Sequence, residues 1–123
     1  MELHIDMPWL LEIQAEILPK ELAVADYSAL RAAVSRHQES QPRLGYVPDA
    51  AWRAAALLET LALLRPLPAR SAFFAAMVVV RYMGDSGEGI DAPYGALPDL
   101  VADVRAQRAD VYDAADRIRS WRI

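Results

Sequence analysis

The stretch Arg65-Pro66-Leu67-Pro68-Ala69-Arg70-Ser71-Ala72-Phe73-Phe74 divides two strongly apolar segments with two cations, two prolines and a hydroxyl. The prolines restrict the turn, and Ser71 reads as the N-cap of a helix beginning at Ala72, which would aim unpaired backbone N–H groups toward Arg65 and Arg70. Such a terminus attracts anions, so Arg65, Arg70 and Ser71 form a candidate site for a phosphate, a carboxylate or a partner's acidic side chain. The same residues also fit two solvated loop cations beside a capping serine. Glu59 is the nearest acidic residue in sequence and the candidate general base; the competing role is an ion pair with Arg53 or another surface cation.

Composition limits the chemistry these residues can join. The chain has no cysteine and only His4 and His37, so thiolate and histidine-rich metal centres are not available, and no metal is expected. A formal charge of −4 and a single lysine, Lys20, argue against a nucleic-acid partner, because nothing concentrates enough positive charge to offset a phosphate backbone. No run approaches the roughly 18 apolar residues of a membrane span. The first residues carry Glu2 and Asp6 where a signal peptide would be basic. The expectation is a cytoplasmic protein with no membrane partner. At 123 residues it reads as one domain, 1–123, and 54 % hydrophobic residues with little glycine favour an all-α fold.

Six helices are expected to position the site. Asp6 caps the first, which runs through Ile17 with Trp9, Leu10, Ile13 and Ile17 near one face, and Pro19 ends it. Asp26 caps the second, Tyr27 to His37, on which Leu30, Ala33 and Val34 repeat at helical spacing. His37 falls in the last turn, where a cation would suit the helix dipole and a catalytic role is the alternative. A polar, proline-rich stretch from Gln38 to Pro48 contains Gly45-Tyr46-Val47 as a short extended piece. Asp49 caps a third helix ending at Leu64, and a fourth runs from Ala72 to Met83; both are apolar nearly all round and should be surrounded by protein. Gly84 to Gly87 forms a turn, and Gly89 to Pro93 an extended exit. Pro98 starts a fifth helix ending near Gln107, and Asp110 precedes a sixth reaching Trp121, with Val111, Ala115 and Ile118 as its buried stripe. Phe73 and Phe74 read as core, and Trp9, Trp52 and Trp121 as packing anchors.

Two buried helices joined by a site-bearing loop, with a flap before the first and a Ser-Gly turn after the second, resemble the Fic/Doc family over Pro48 to Pro93. That family's loop reads His-Pro-Phe-x-Asp/Glu-Gly-Asn-Gly/Lys-Arg. Here Arg65 occupies the His slot, Pro66 matches, Leu67 keeps the apolar character of Phe, and Ser86-Gly87 lies where the family has an Asn-Gly turn. Length and the ending Asp116-Arg117-Ile118-Arg119-Ser120-Trp121 are similar to the short, toxin-like Doc branch, including small actinobacterial members of toxin–antitoxin pairs. The resemblance implies all-α architecture around a buried central helix pair with a small flap or hairpin, and transfer of AMP or phosphate from a nucleotide to a protein hydroxyl. It also implies ATP and Mg²⁺ as cofactors, a small antitoxin protein as partner, and a protein target docked at the flap, Gly45, Tyr46 and Val47, by strand addition.

The departures fall on the chemistry. Arg65 cannot serve as the family's general base, because a guanidinium keeps its proton at neutral pH. Ala69 replaces the acidic Mg²⁺ ligand and Phe73 the phosphate-gripping Arg, while Arg70 replaces the flexible Gly and Ser71 the Asn. No bound cofactor is therefore expected. Three readings stay open: a Fic/Doc-like toxin component with a degenerate loop, a catalytically silent protein-binding module, and an enzyme with altered chemistry on a small anionic substrate.

Overall fold

The computed structural model describes residues 3–17, 27–39, 42–46, 48–65 and 71–123. They form six helices: α1 Met7–Ile17, α2 Tyr27–Glu39, α3 Ala50–Leu64, α4 Ser71–Asp85, α5 Ala96–Arg105 and α6 Val111–Ser120. The fold is all-α, and among the described residues the only β pairing is a single antiparallel bridge, Ile90 to Arg122. That bridge is where the expected extended exit meets the end of the chain, and Gly89 O accepts from the Ile123 N–H at 2.9 Å.

Packing is organised by α3. Eleven of its residues are buried, from Ala50 through Ala62, and it packs against α2, α4, α5 and α6. A helix with so little polar surface is stable only when neighbours cover most of its circumference. The first of these, α4, buries Phe74, Ala75, Val78, Val79, Tyr82 and Met83. The stripe expected on α6 is present, with Val111, Ala115 and Ile118 buried and Ala114 added to it. Leu10 and Ile13 bring α1 onto the same core, as do Leu30 and Ala33 of α2.

Local signals set most helix starts. Asp6 Oδ1 accepts the Trp9 N–H at 3.1 Å, and Asp49 Oδ1 accepts the Trp52 N–H at 3.0 Å. Asp110 and Asp113 exchange bonds in a complete capping box. The cap expected at Asp26 lies outside the described residues. Both boundaries of α4 differ from expectation. Ser71 is the first residue of α4 rather than the residue before it, and α4 continues through Gly84 to Asp85. The stop signal is Gly87, at φ +82°: the Gly87 N–H reaches Gly84 O and the Glu88 N–H reaches Met83 O, which is a Schellman closure. The same pattern ends α5, but there Gln107 takes the left-handed position at φ +61°. The Arg108 N–H bonds Asp103 O while its guanidinium pairs with the Asp103 carboxylate, so an ion pair replaces the usual apolar contact of this motif.

His37 corrects the expectation of an exposed dipole-stabilised cation. It is 2 % exposed, and its Nε2 accepts the Ile5 N–H at 3.2 Å. Accepting there places the ring proton on Nδ1, for which there is no hydrogen-bond partner among the described residues. The ring lies edge-on to Tyr82 and His4. The Tyr82 hydroxyl donates to Leu3 O and accepts from Arg53 Nε, and Gln38 Nε2 donates to Ile5 O. These bonds fasten the segment before α1 across α2 and α4. Burial, with the nearby His4 and Arg53 charges, pushes the His37 pKa down to about 4.

Stability should follow. Between the folded value of about 4 and the ordinary 6.5, the unfolded chain binds a proton that the folded chain does not. Stability is therefore full above pH 6.5 and drains as pH falls toward 4, by roughly 3 kcal/mol at ~1.4 kcal/mol per unit. Urea midpoints measured across this window should show the loss, and His37→Phe should flatten the slope; an unchanged slope in that variant would contradict the assignment.

Candidate functional site

The site loop begins where α3 stops. Arg65 closes that helix in the left-handed conformation, φ 48° and ψ 67°, with its N–H bonded to Leu61 O at 3.1 Å. A non-glycine residue there carries backbone strain, of the kind that a surrounding structure must hold in place. Arg65 is exposed. The other motif-slot residues, Ala69 and Arg70 together with Pro66 to Pro68, lie outside the described residues. Ser71 is 7 % exposed within the first turn of α4. Phe73 corrects the expectation of a core residue: it is 41 % exposed, whereas Phe74 beside it is fully buried. Successive positions on a helix point about 100° apart, so only one of the pair can face α3.

A residue not singled out from the sequence joins Arg65. Arg105, on α5, donates from Nε to Ala62 O at 3.1 Å, capping one of the last carbonyls of α3. Arg65 and Arg105 line one open groove of about 330 Å³ with Ala72, Pro98, Val101, Ala102 and Ala106. Neither forms an ion pair with a carboxylate among the described residues. Burial first, and then the Arg65 charge, hold the Arg105 guanidinium below the usual arginine range, although it remains a cation at neutral pH. The sequence signal for Arg105 was confined to its place in the last turn of a helix, and the 43-residue separation from Ala62 is visible only in the fold.

Around the same end of the molecule the surface is apolar. Leu63 is 44 % and Leu64 48 % exposed, on the side of α3 turned toward α2. They border a second groove of about 500 Å³ with Ala32, Ser35, Arg36 and Thr60. Glu59, the candidate base, is ion-paired to Arg36 across α2 and α3 rather than to Arg53.

The flap is a turn. Gly45 has φ +89° and the Tyr46 N–H returns to Arg43 O at 3.1 Å, so no strand forms over residues 42–46; Val47 lies outside the described residues. Tyr46 is held from several sides. Its hydroxyl donates to Asp116 Oδ1 at 2.8 Å and accepts from Arg119, and its ring packs edge-on against Trp52 and Tyr112. Arg43 stacks over Tyr112 at 4.2 Å. Arg119 also grips Asp49 with two bonds, Nε to Oδ2 at 2.8 Å and Nη2 to Oδ1 at 3.0 Å. Gly45, Tyr46, Asp49, Arg119 and Arg122 thus line a third, mixed-charge groove of about 560 Å³. Burial works to raise the Asp49 pKa, but the Arg119 fork and the Trp52 N–H overcome it and leave the carboxyl below its usual range.

No family model, no curated protein and no solved structure matches this chain. Among the described residues no cluster of three or more metal-ligating side chains occurs, and no helix is long and apolar enough to cross a membrane.

The Asp49–Arg119 pair supports a direct test. Asp49→Ala removes a helix cap and two of the Arg119 bonds, while Arg119 keeps its ion pair with Asp116, so it should cost about 2 kcal/mol in denaturant unfolding. Arg119→Lys keeps the charge but loses the two-bond fork, and should cost about 1 kcal/mol. Unchanged stability in Arg119→Lys would show that the fork geometry contributes nothing.

Proposed function

We propose that this chain is a Fic/Doc-like helical domain, of the toxin-component type, that works by binding a protein rather than by transferring AMP or phosphate. The observation that carries the reading is the coincidence of three exposed apolar side chains, Leu63, Leu64 and Phe73, with the exposed cation Arg65 at the end of the α3–α4 hairpin. Exposed large apolar side chains beside charge are characteristic of protein interaction sites. In this reading α3 and α4 are the central helix pair, and the loop between them is the family's motif loop with its base, metal ligand and phosphate clamp replaced. The partner is a small antitoxin-like protein that places an apolar, acidic segment over this end. Glu59 is not the replacement base, being held by Arg36. The flap at Gly45 and Tyr46 is a supporting contact in this reading, since Tyr46 is already committed to α6.

The reading makes separable demands. Expression without the partner should arrest bacterial growth, and the product of a small neighbouring gene should bind the purified chain and relieve the arrest. Leu64→Asp should weaken that complex by at least about tenfold, the effect of burying an unpaired charge at an interface core. Harmless expression together with no complex would overturn the proposal. Turnover of ATP with Mg²⁺ would replace it with the enzymatic reading.

A further inference from the structure

The groove between the end of α3 and α5 shares Arg65 with the docking surface and adds Arg105, which docking at Leu63, Leu64 and Phe73 does not use. Two guanidinium groups from separate helices face one open space, and the lining residues beside them are small or apolar: Ala72, Pro98, Val101 and Ala102. Among the described residues no carboxylate lies between them, and like charges brought together in this way repel each other. Arg105 is also fixed in place. Its Nε–H is spent on Ala62 O, which leaves the two terminal nitrogens for a ligand. Arg65 enters the groove from a left-handed backbone conformation, φ 48°.

We infer that this groove binds a small organic phosphate, with the phosphate held between Arg65 and Arg105 and the apolar body of the ligand lying on Pro98 and Val101. Phosphate suits the site better than a carboxylate, because a tetrahedral dianion can accept from two guanidinium groups that approach from different helices. The roughly 330 Å³ volume exceeds what an inorganic anion fills, and the apolar lining supplies contact area for an attached organic group.

Titration calorimetry and thermal unfolding of the full chain with phenyl phosphate, inorganic phosphate and benzoate test the inference. Phenyl phosphate should bind at least about tenfold more tightly than inorganic phosphate or benzoate, and should raise the unfolding temperature with concentration. Arg105→Ala should weaken binding by about tenfold or more, with Arg105→Lys intermediate because it keeps charge without the fork. Arg105→Ala also uncaps Ala62, so Arg65→Gln serves as the second variant. It should abolish the ligand-dependent shift while leaving the free protein as stable as, or more stable than, the parent. Leu64→Ala, which trims the docking surface without adding charge beside Arg65, should leave phosphate binding unchanged, which separates this site from the docking surface. Binding of all three probes with equal affinity, no binding, or binding that survives both arginine substitutions would overturn the assignment.

Discussion

The dominant constraint on this molecule is the near absence of a polar face on α3. Eleven buried residues in one helix leave it unstable alone, and four other helices pack around it. Burial of the middle makes both ends a separate problem, because the first N–H groups and last C=O groups of any helix lack internal partners. Side chains answer it at each end. Asp49 takes the Trp52 N–H at the start, while the Arg65 N–H and Arg105 Nε take the Leu61 and Ala62 carbonyls at the finish. Each of these polar groups belongs to a candidate groove as well. The parts of the surface with chemistry are thus the places where the backbone of α3 required partners.

This coincidence explains what the sequence disclosed. Helix existence and the caps at Asp6 and Asp49 were legible because the signals are local: a carboxylate three residues before an N–H, followed by apolar residues at helical spacing. The all-α class followed from the same patterns. Helix ends were less legible. Gly84 looks like a stop, yet it lies within α4 and the closure comes at Gly87, because a Schellman motif is defined by hydrogen bonds rather than by the first glycine. At the end of α5 no glycine marks the turn at all, since Gln107 takes the left-handed position.

Contacts over long separations left no trace in the linear pattern. Arg119 meets Asp49 across 70 residues and Arg105 meets Ala62 across 43, and nothing distinguishes either arginine from its helical neighbours until the chain is folded. His37 shows the converse. Its position suggested a favourable terminal charge, but packing of the segment around Ile5 against α2 and α4 replaced solvent with a backbone donor and the Tyr82 ring. The tertiary setting reversed the preferred protonation state. Phe73 and Phe74 look equivalent in sequence, and only the direction of α3 decides which is covered.

The distance between Asp49 and Arg119 also has a temporal meaning. Helix α3 is complete long before α6 is made, since its partner residue lies 70 positions later. Helix α3 ends at Leu64 and α6 at Ser120, so at a synthesis rate of about 5–20 residues per second the strongly apolar α3 waits roughly 3–11 s for its last neighbour. Throughout that interval the nascent chain exposes the face that α6 will cover. Production of this protein in a cell therefore depends on how well that incomplete bundle is kept from associating with others like it, and on nascent-chain binding factors as much as on the stability of the finished fold.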